Sequence, residues 1–214
     1  MLKQIKASIL VTLLFTLSMG LLFPCVITLL GKALFPFQAN GSLITKDGVV
    51  IGSKLIAQSF TSAKYFQPRA SDAGSGYDPT SSGGTNLGPT SQKLIDGAHP
   101  LLPNGKPDTA NAFSGIADLA TAYRAENGLA ADAPLPADAA TYSASGLDPD
   151  ISPMNAHLQA ARVAKARGVP VSDVERLVNS HTRGRTFGVL GEPVVNVLEL
   201  NLALDKMYPA KCLE

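Results

Sequence analysis

The sequence contains no tryptophan, and its aromatic residues make up only 6% of 214 positions. Proteins that bind carbohydrate or single-stranded nucleic acid use aromatic rings as stacking platforms, so this scarcity argues against both functions. Only two cysteines occur, Cys25 within an apolar run and Cys212 near the end of the chain. They cannot form a disulfide framework, and folding must therefore rest on packing.

Basic residues are too few and too scattered to attract nucleic acid. With Lys3, Lys6 and Lys32 set aside as flanks of the apolar run, 15 basic and 17 acidic residues remain, a net charge of −2. A nucleic-acid-binding domain needs a concentrated positive field to neutralise phosphates. We therefore predict that the chain has no nucleic-acid partner.

Recognisable catalytic and metal-binding motifs are also absent from the sequence. There is no Gly-x-Ser-x-Gly nucleophile turn, no His-Glu-x-x-His zinc helix and no phosphate loop ending in Gly-Lys-Ser/Thr. The three histidines, His99, His157 and His181, are far apart and lack metal-ligand spacing. We therefore predict no catalytic residue and no metal site in this chain.

The sequence does contain one long uncharged run, since residues 7–31 include no charged side chain. As a helix this run would measure roughly 37 Å, enough to cross a hydrocarbon core of about 30 Å with some tilt. In lipid only a helix satisfies its own backbone groups within a single segment. A cleaved signal peptide is the alternative, but the run is too long and Lys32 lies in the middle of the nearest small-x-small site. The sequence predicts a retained transmembrane anchor.

Charges at the start of the chain predict which side of the membrane each part occupies. Lys3, Lys6 and the free amino terminus precede the span without an acid, whereas only Lys32 follows it. Positive charge in short flanks stays in the cytoplasm. We expect residues 1–6 in the cytoplasm, residues 7–31 across the membrane in contact with lipid, and residues 36–214 as one domain on the outer side.

Patterns along the outer segment predict a mixed α/β (α+β) domain. Asp47-Gly48 between two β-branched runs is a hairpin signal, and the segment from Pro68 to Thr90 reads as a long irregular loop. A strand or short helix is expected over residues 55–60, and a capping box at Ser172–Glu175. Helices are expected over residues 90–101, 113–127 and 153–167. A helix is also expected over residues 196–205, where a strand is the open alternative.

Three sets of residues are candidates for binding a partner. Small and hydroxylated residues of the span would let membrane helices approach closely. A glycine-rich loop at 82–89 would form either a shaped protein contact, which we favour, or an anion cradle. Two arginines flanking Gly184 would grip an anionic group or pair with Glu192 or Glu199. The candidates are Thr12, Thr16 and Gly20 in the span, Gly83, Gly84 and Asn86 in the glycine loop, and Arg183 and Arg185.

Several blocks of the sequence resemble one known family in the same order over nearly the whole chain. They include Tyr65-Phe66-Gln67-Pro68-Arg69, Ser82 to Pro89, Ala144 to Pro149 and Gly191 to Asp205. Together with the anchor, these blocks resemble the KdpC family, whose members belong to the bacterial Kdp potassium-transporting P-type ATPase. Residues 98–137 match least well, and Gln67 and Ala70 stand where the family is expected to have His and Pro.

The resemblance implies an accessory subunit of an ATP-driven potassium importer in the inner membrane, with residues 36–214 as a periplasmic domain. Its partners would be a channel-like potassium-binding subunit and a catalytic P-type ATPase subunit, which handle K⁺ and ATP for the complex. The accessory subunit would support assembly and raise the ATP affinity of the catalytic subunit without binding a cofactor itself. This sequence lacks the Asp-Lys-Thr-Gly-Thr phosphorylation motif and a Thr-Val-Gly-Tyr-Gly filter. The alternative is a free-standing, membrane-anchored periplasmic binding or enzymatic domain.

Overall fold

The computed structural model of the protein describes residues 1–209, which form two compact units. The anchor unit comprises Met1–Ser53, and the globular unit begins at Lys54. Helices and strands both occur, so the predicted mixed α/β character is confirmed.

The anchor unit contains one continuous helix of 33 residues, Leu2–Leu34. It consists of α1 (Leu2–Leu17), a π-helical turn (Ser18–Leu22) and α2 (Phe23–Leu34). The π turn ends two residues before Pro24, which lacks an N–H and whose ring would clash with a carbonyl one turn earlier in a regular α-helix. The helix is long and apolar enough to cross a membrane, and none of its most apolar stretch is buried. It extends beyond both ends of the expected span.

A short helix and a hairpin follow in the same unit. Helix α3 (Pro36–Ala39) leads to the antiparallel strands β1 (Leu43–Lys46) and β2 (Val49–Ser53). The turn residues Asp47 and Gly48 have φ values of 52° and 80°. Two positive φ values in a two-residue turn match the twist of antiparallel strands, and Asp-Gly tolerates them. The predicted hairpin is confirmed.

The globular unit has helices packed around a small sheet and a long irregular segment. The strands pair in the order β3-β5-β4, all antiparallel, with Ile151 and Thr182 both opposite Val195. The elements are α4 (Gln92–Asp96), α5 (Ile116–Asn127), α6 (Ala137–Ala140), β3 (Asp150–Ile151), α7 (Pro153–Arg167), α8 (Val171–Ser180), β4 (Thr182–Arg183), β5 (Val194–Asn196) and α9 (Val197–Met207). The last segment is therefore a helix, as predicted, and not the alternative strand.

Local capping explains where the two best-packed helices begin. The Ser152 side chain accepts a hydrogen bond from the Asn155 N–H at the start of α7, and Gly168 ends that helix with φ 68°. The Asn196 side chain accepts from the Glu199 N–H at the start of α9. Each cap satisfies a backbone N–H that has no partner within its helix.

Three predicted elements differ from the structure. Helix α8 begins at Val171 with Pro170 at its cap position, so Ser172 lies inside the first turn and the expected capping box is wrong. Residues 55–60 form neither a strand nor a helix. The helix expected over residues 90–101 is confined to Gln92–Asp96, because Gly97 adopts a φ of 87° and ends it.

The core lies where α7, α8 and α9 meet the sheet. Its largest fully buried apolar side chains are Phe66, Ile151, Val163, Leu200 and Leu204. Fully burying one such side chain stabilises the fold by about 1.5–3 kcal/mol, so this cluster supplies most of the driving force in the globular unit.

A buried polar network attaches the irregular segment around Phe66 to these helices. The Asn201 amide accepts from the Phe66 N–H and donates to the Phe66 carbonyl, at 2.8 and 2.9 Å. The Gln159 amide binds both backbone groups of Gln67 in the same way. Arg162 donates to the carbonyl oxygens of Ala63 and Tyr65. Side chains thus replace the missing strand partner of residues 63–67.

Candidate functional site

The glycine loop at residues 82–89 is packed against the segment around Ser145. The Gly83 N–H and the Ser82 hydroxyl both donate to the Ser145 carbonyl, at 2.9 and 3.0 Å. A Cβ atom on Gly84 would lie 2.7 Å from the carbonyl oxygen of Ala144, so this glycine permits a close backbone approach. One side of the loop is therefore part of the fold.

Backbone angles distinguish the residues of this loop. Neither Gly83 nor Gly84 adopts a positive φ, whereas Asn86 does, at 54°. Asparagine tolerates the left-handed region better than most residues, which explains its presence there. The loop also borders a cavity of about 370 Å³ that Arg69 and Tyr142 help to line. The candidate residues Gly84 and Asn86 lie together at this cavity.

Arg69 lines the same cavity and is bonded to the segment around Tyr142. Its guanidinium donates to the Tyr142 carbonyl at 2.9 Å and lies 3.3 Å from Asp148. Its backbone carbonyl accepts a hydrogen bond of 2.8 Å from the Tyr77 hydroxyl. Burial raises the pKa of Tyr77 to about 12, so this hydroxyl remains a neutral donor at physiological pH. These contacts give the long irregular segment a defined shape.

The two candidate arginines lie at the end of β4 and in the exposed loop that follows it, and each pairs with an acid. Arg183 lies 2.8 Å from Asp150, and Arg185 lies 2.6 Å from Glu192. The expected pairing with Glu192 is confirmed, whereas Glu199 pairs with Lys54 instead. Each arginine therefore has a carboxylate partner, and neither is an unpaired cation available to an anionic ligand.

Three apolar side chains at the end of that loop were not among the sequence candidates. Phe187, Val189 and Leu190, which we call the apolar tip, are 90%, 71% and 60% exposed. The loop closes through paired hydrogen bonds between Thr186 and Leu190, at 2.8 and 3.0 Å. In the sequence, residues 185–190 mix Arg185 and Thr186 with apolar side chains between two glycines, so composition alone does not show whether those apolar side chains are buried.

The candidate residues of the span lie along one side of the apolar helix. Thr12, Thr16 and Gly20 follow one another at intervals of four residues, and all three are exposed. A Cβ on Gly20 would lie 3.9 Å from the Thr16 methyl group, so the two positions are neighbours on the helix surface. Small side chains at this spacing leave a shallow groove for another helix.

The histidines remain separate in the fold. His99 lies 3.0 Å from Asp118, His157 contacts Asn179 at 3.1 Å, and His181 contacts the Leu177 carbonyl at 2.9 Å. Within residues 1–209, no group of three or more His, Cys, Asp or Glu side chains is arranged to hold a metal ion.

Comparison with known proteins gives a consistent result over the whole chain. Residues 5–206 match a family model described as K⁺-transporting ATPase, c chain. The chain is similar to the potassium-transporting ATPase KdpC subunit of Mycobacterium tuberculosis (strain ATCC 25618 / H37Rv), with 48% identity over 205 residues, 96% of this chain and 99% of the relative. The protein of the same name from Allorhizobium ampelinum is 50% identical over 206 residues, 96% and 97% of the two chains. That of Rhodospirillum rubrum is 44% identical over 209 residues, 98% of each.

Proposed function

This chain belongs to the K⁺-transporting ATPase c chain family, and we propose that it is a non-catalytic accessory subunit held in the inner membrane by one helix. Its partners are the channel-like potassium-binding subunit and the catalytic P-type ATPase subunit of the same complex. The observation that carries the membrane assignment is the helix Leu2–Leu34, whose apolar side chains are exposed along its length. Such a surface is stable in lipid or against other membrane helices and not in water.

The globular unit is proposed to lie on the periplasmic side of the membrane. Lys3, Lys6 and the amino terminus favour a cytoplasmic start of the chain. Cytoplasmic ATP is then out of reach of this unit. An effect on the ATP affinity of the catalytic subunit would act through the assembly and not through direct contact with the nucleotide.

Three surfaces are proposed to contact the partner subunits. The first is the stripe Thr12, Thr16 and Gly20 on the anchor helix. The second is the glycine loop, with Gly84 and Asn86 at the cavity and Gly83 next to them, and the third is the segment that carries Arg183 and Arg185. The ion pairs of these arginines fix the base of their loop, so their contribution is to hold a contact surface in place.

The proposed orientation predicts the behaviour of a reporter fused after the last residue. An enzyme that is active only in the periplasm should be active at this position, because the positive flank keeps the other end of the chain inside. A reporter that is active only in the cytoplasm should be inactive there. The reverse pattern would place the globular unit inside and restore direct contact with ATP as a possibility.

Bulky substitutions in the anchor stripe test whether the span is an interface. Replacing Thr12, Thr16 and Gly20 together by leucine fills the groove between neighbouring helices, so recovery of the two partner subunits in a detergent pull-down should fall roughly tenfold. Leucine at Val11 and Met19, which already carry large side chains, is the matched control and should leave recovery unchanged. Full recovery with all three stripe positions replaced would mean that the span is only a tether. No recovery of large partners by the unmodified chain would favour the free-standing domain.

A further inference from the structure

Phe187 combines exposure with an unfavourable backbone conformation. Its φ is 55°, in the left-handed region that bulky residues rarely adopt, and its side chain is 90% exposed. Glycine or asparagine would occupy this position with less strain. The ring therefore contributes almost no burial within the subunit that would compensate for the strain. Strain that the fold does not need is found at functional positions.

Backbone hydrogen bonds brace the loop that presents this ring. Besides the paired hydrogen bonds between Thr186 and Leu190, the Gly188 N–H donates to the Arg185 carbonyl at 3.1 Å. A preformed loop loses little conformational entropy on binding, so its apolar side chains add directly to affinity. Aromatic side chains in such positions are frequent centres of protein interfaces.

We propose that the apolar tip inserts into an apolar pocket on another subunit of the transport complex. The inference rests on the proposed function, which supplies the partner. Anionic lipid is the competing occupant, and the charges decide against it. Loops that bind lipid headgroups carry free cations beside their apolar residues, but here Arg183 and Arg185 are paired with Asp150 and Glu192. An apolar centre with a neutral, hydrogen-bonding rim is typical of protein interfaces.

Substitution of Phe187 by asparagine separates docking from folding. Asparagine accepts the left-handed backbone, so the melting temperature of the full-length subunit in detergent should stay the same or rise. Recovery of the partner subunits should nevertheless fall roughly tenfold, the effect of losing one central aromatic contact. The control is Leu101→Asn, because Leu101 is 67% exposed and lies outside the tip. This control should leave recovery unchanged.

Photo-crosslinking identifies the occupant directly. With p-benzoylphenylalanine at position 187 in the complex within native membranes, irradiation should link this chain to a second, larger polypeptide. Crosslinks only to lipid, or only to another copy of the same chain, would overturn the inference.

The pull-down also distinguishes membership of the complex from docking by the apolar tip. If the unmodified chain recovers no partner subunits, the proposed function fails. If the unmodified chain and Phe187→Asn recover them equally, the complex exists and only the role of the apolar tip is wrong. A lowered melting temperature of Phe187→Asn would show that the ring is structural, and would likewise overturn the inference.

Discussion

Replacing Arg162 by alanine should destabilise the globular unit by about 3–5 kcal/mol, because this residue is 9% exposed and its guanidinium serves four oxygen acceptors. It donates to the side-chain oxygens of Asn127 and Gln159 and to the carbonyls of Ala63 and Tyr65, all at 2.8–3.0 Å. The acceptors on Asn127 and Gln159 are buried, and each buried acceptor left without a donor costs about 1–3 kcal/mol. Chemical unfolding of the full-length subunit in detergent measures the change.

The charge of Arg162 makes the test more specific. Burial lowers the pKa of Arg162, and its four hydrogen bonds go to amide and carbonyl oxygens. The planar guanidinium places its N–H groups at all four oxygen acceptors. A lysine ammonium cannot reach all four, so Arg162→Lys should also be destabilising. Arg176, which pairs with Asp173 on the surface, is the control, and Arg176→Ala should change stability by less than about 0.5 kcal/mol. Equal effects of Arg162→Ala and Arg176→Ala would mean that the network does not hold residues 63–67.

Helices whose signals are local were predictable from the sequence. The cap Ser152, the following Pro153 and the terminating Gly168 specify both ends of α7, and Asn196 does the same for the start of α9. The start of α8 shows the limit of such reasoning. Ser172 and Glu175 match the spacing of a capping box, but Pro170 lies one residue before the helix in an extended conformation and takes the cap position.

The three-stranded sheet was not predictable in the same way. Its strands contain two or three residues, too few for an alternating pattern, and Asp150 and Asn196 meet across 46 positions of sequence. The apolar tip was missed for a related reason. Phe187, Val189 and Leu190 have the composition of a core, and only the fold shows that they point into solvent.

Among the candidate residues, too, contacts between residues close in sequence were predictable and contacts between distant residues were not. That Arg185 pairs with Glu192 follows from a separation of seven residues along one loop. The role of Gly84 does not follow from neighbouring residues in the sequence. The atom that Gly84 approaches belongs to Ala144, and nothing near Gly84 in the sequence indicates that contact. Glycine in a loop indicates freedom of the backbone, whereas here it provides space for a neighbouring chain segment.

The space around each glycine predicts different effects of alanine at Gly83 and Gly84. In Gly84→Ala the new methyl group would lie 2.7 Å from the Ala144 carbonyl oxygen, so the loop or the segment beneath it must shift. Such overpacking costs about 1–3 kcal/mol, and we expect the melting temperature of the full-length subunit to fall by several degrees. In Gly83→Ala the nearest atom is 3.9 Å away, and the melting temperature should be unchanged.

Gly83→Ala is therefore the variant that tests the glycine loop as a contact surface. If the loop binds a partner at Gly83, this substitution should reduce recovery of the complex while the subunit melts normally, because no atom of the subunit lies closer than 3.9 Å to the added methyl group. A loss of recovery with Gly84→Ala alone would instead follow from the distorted fold and would carry no information about contact. If both variants assemble normally and only Gly84→Ala melts early, the loop is structural. Of the two candidate surfaces outside the span, the segment from Arg183 to Glu192 would then remain, and its exposed apolar tip gives a partner more apolar surface than the glycine loop does.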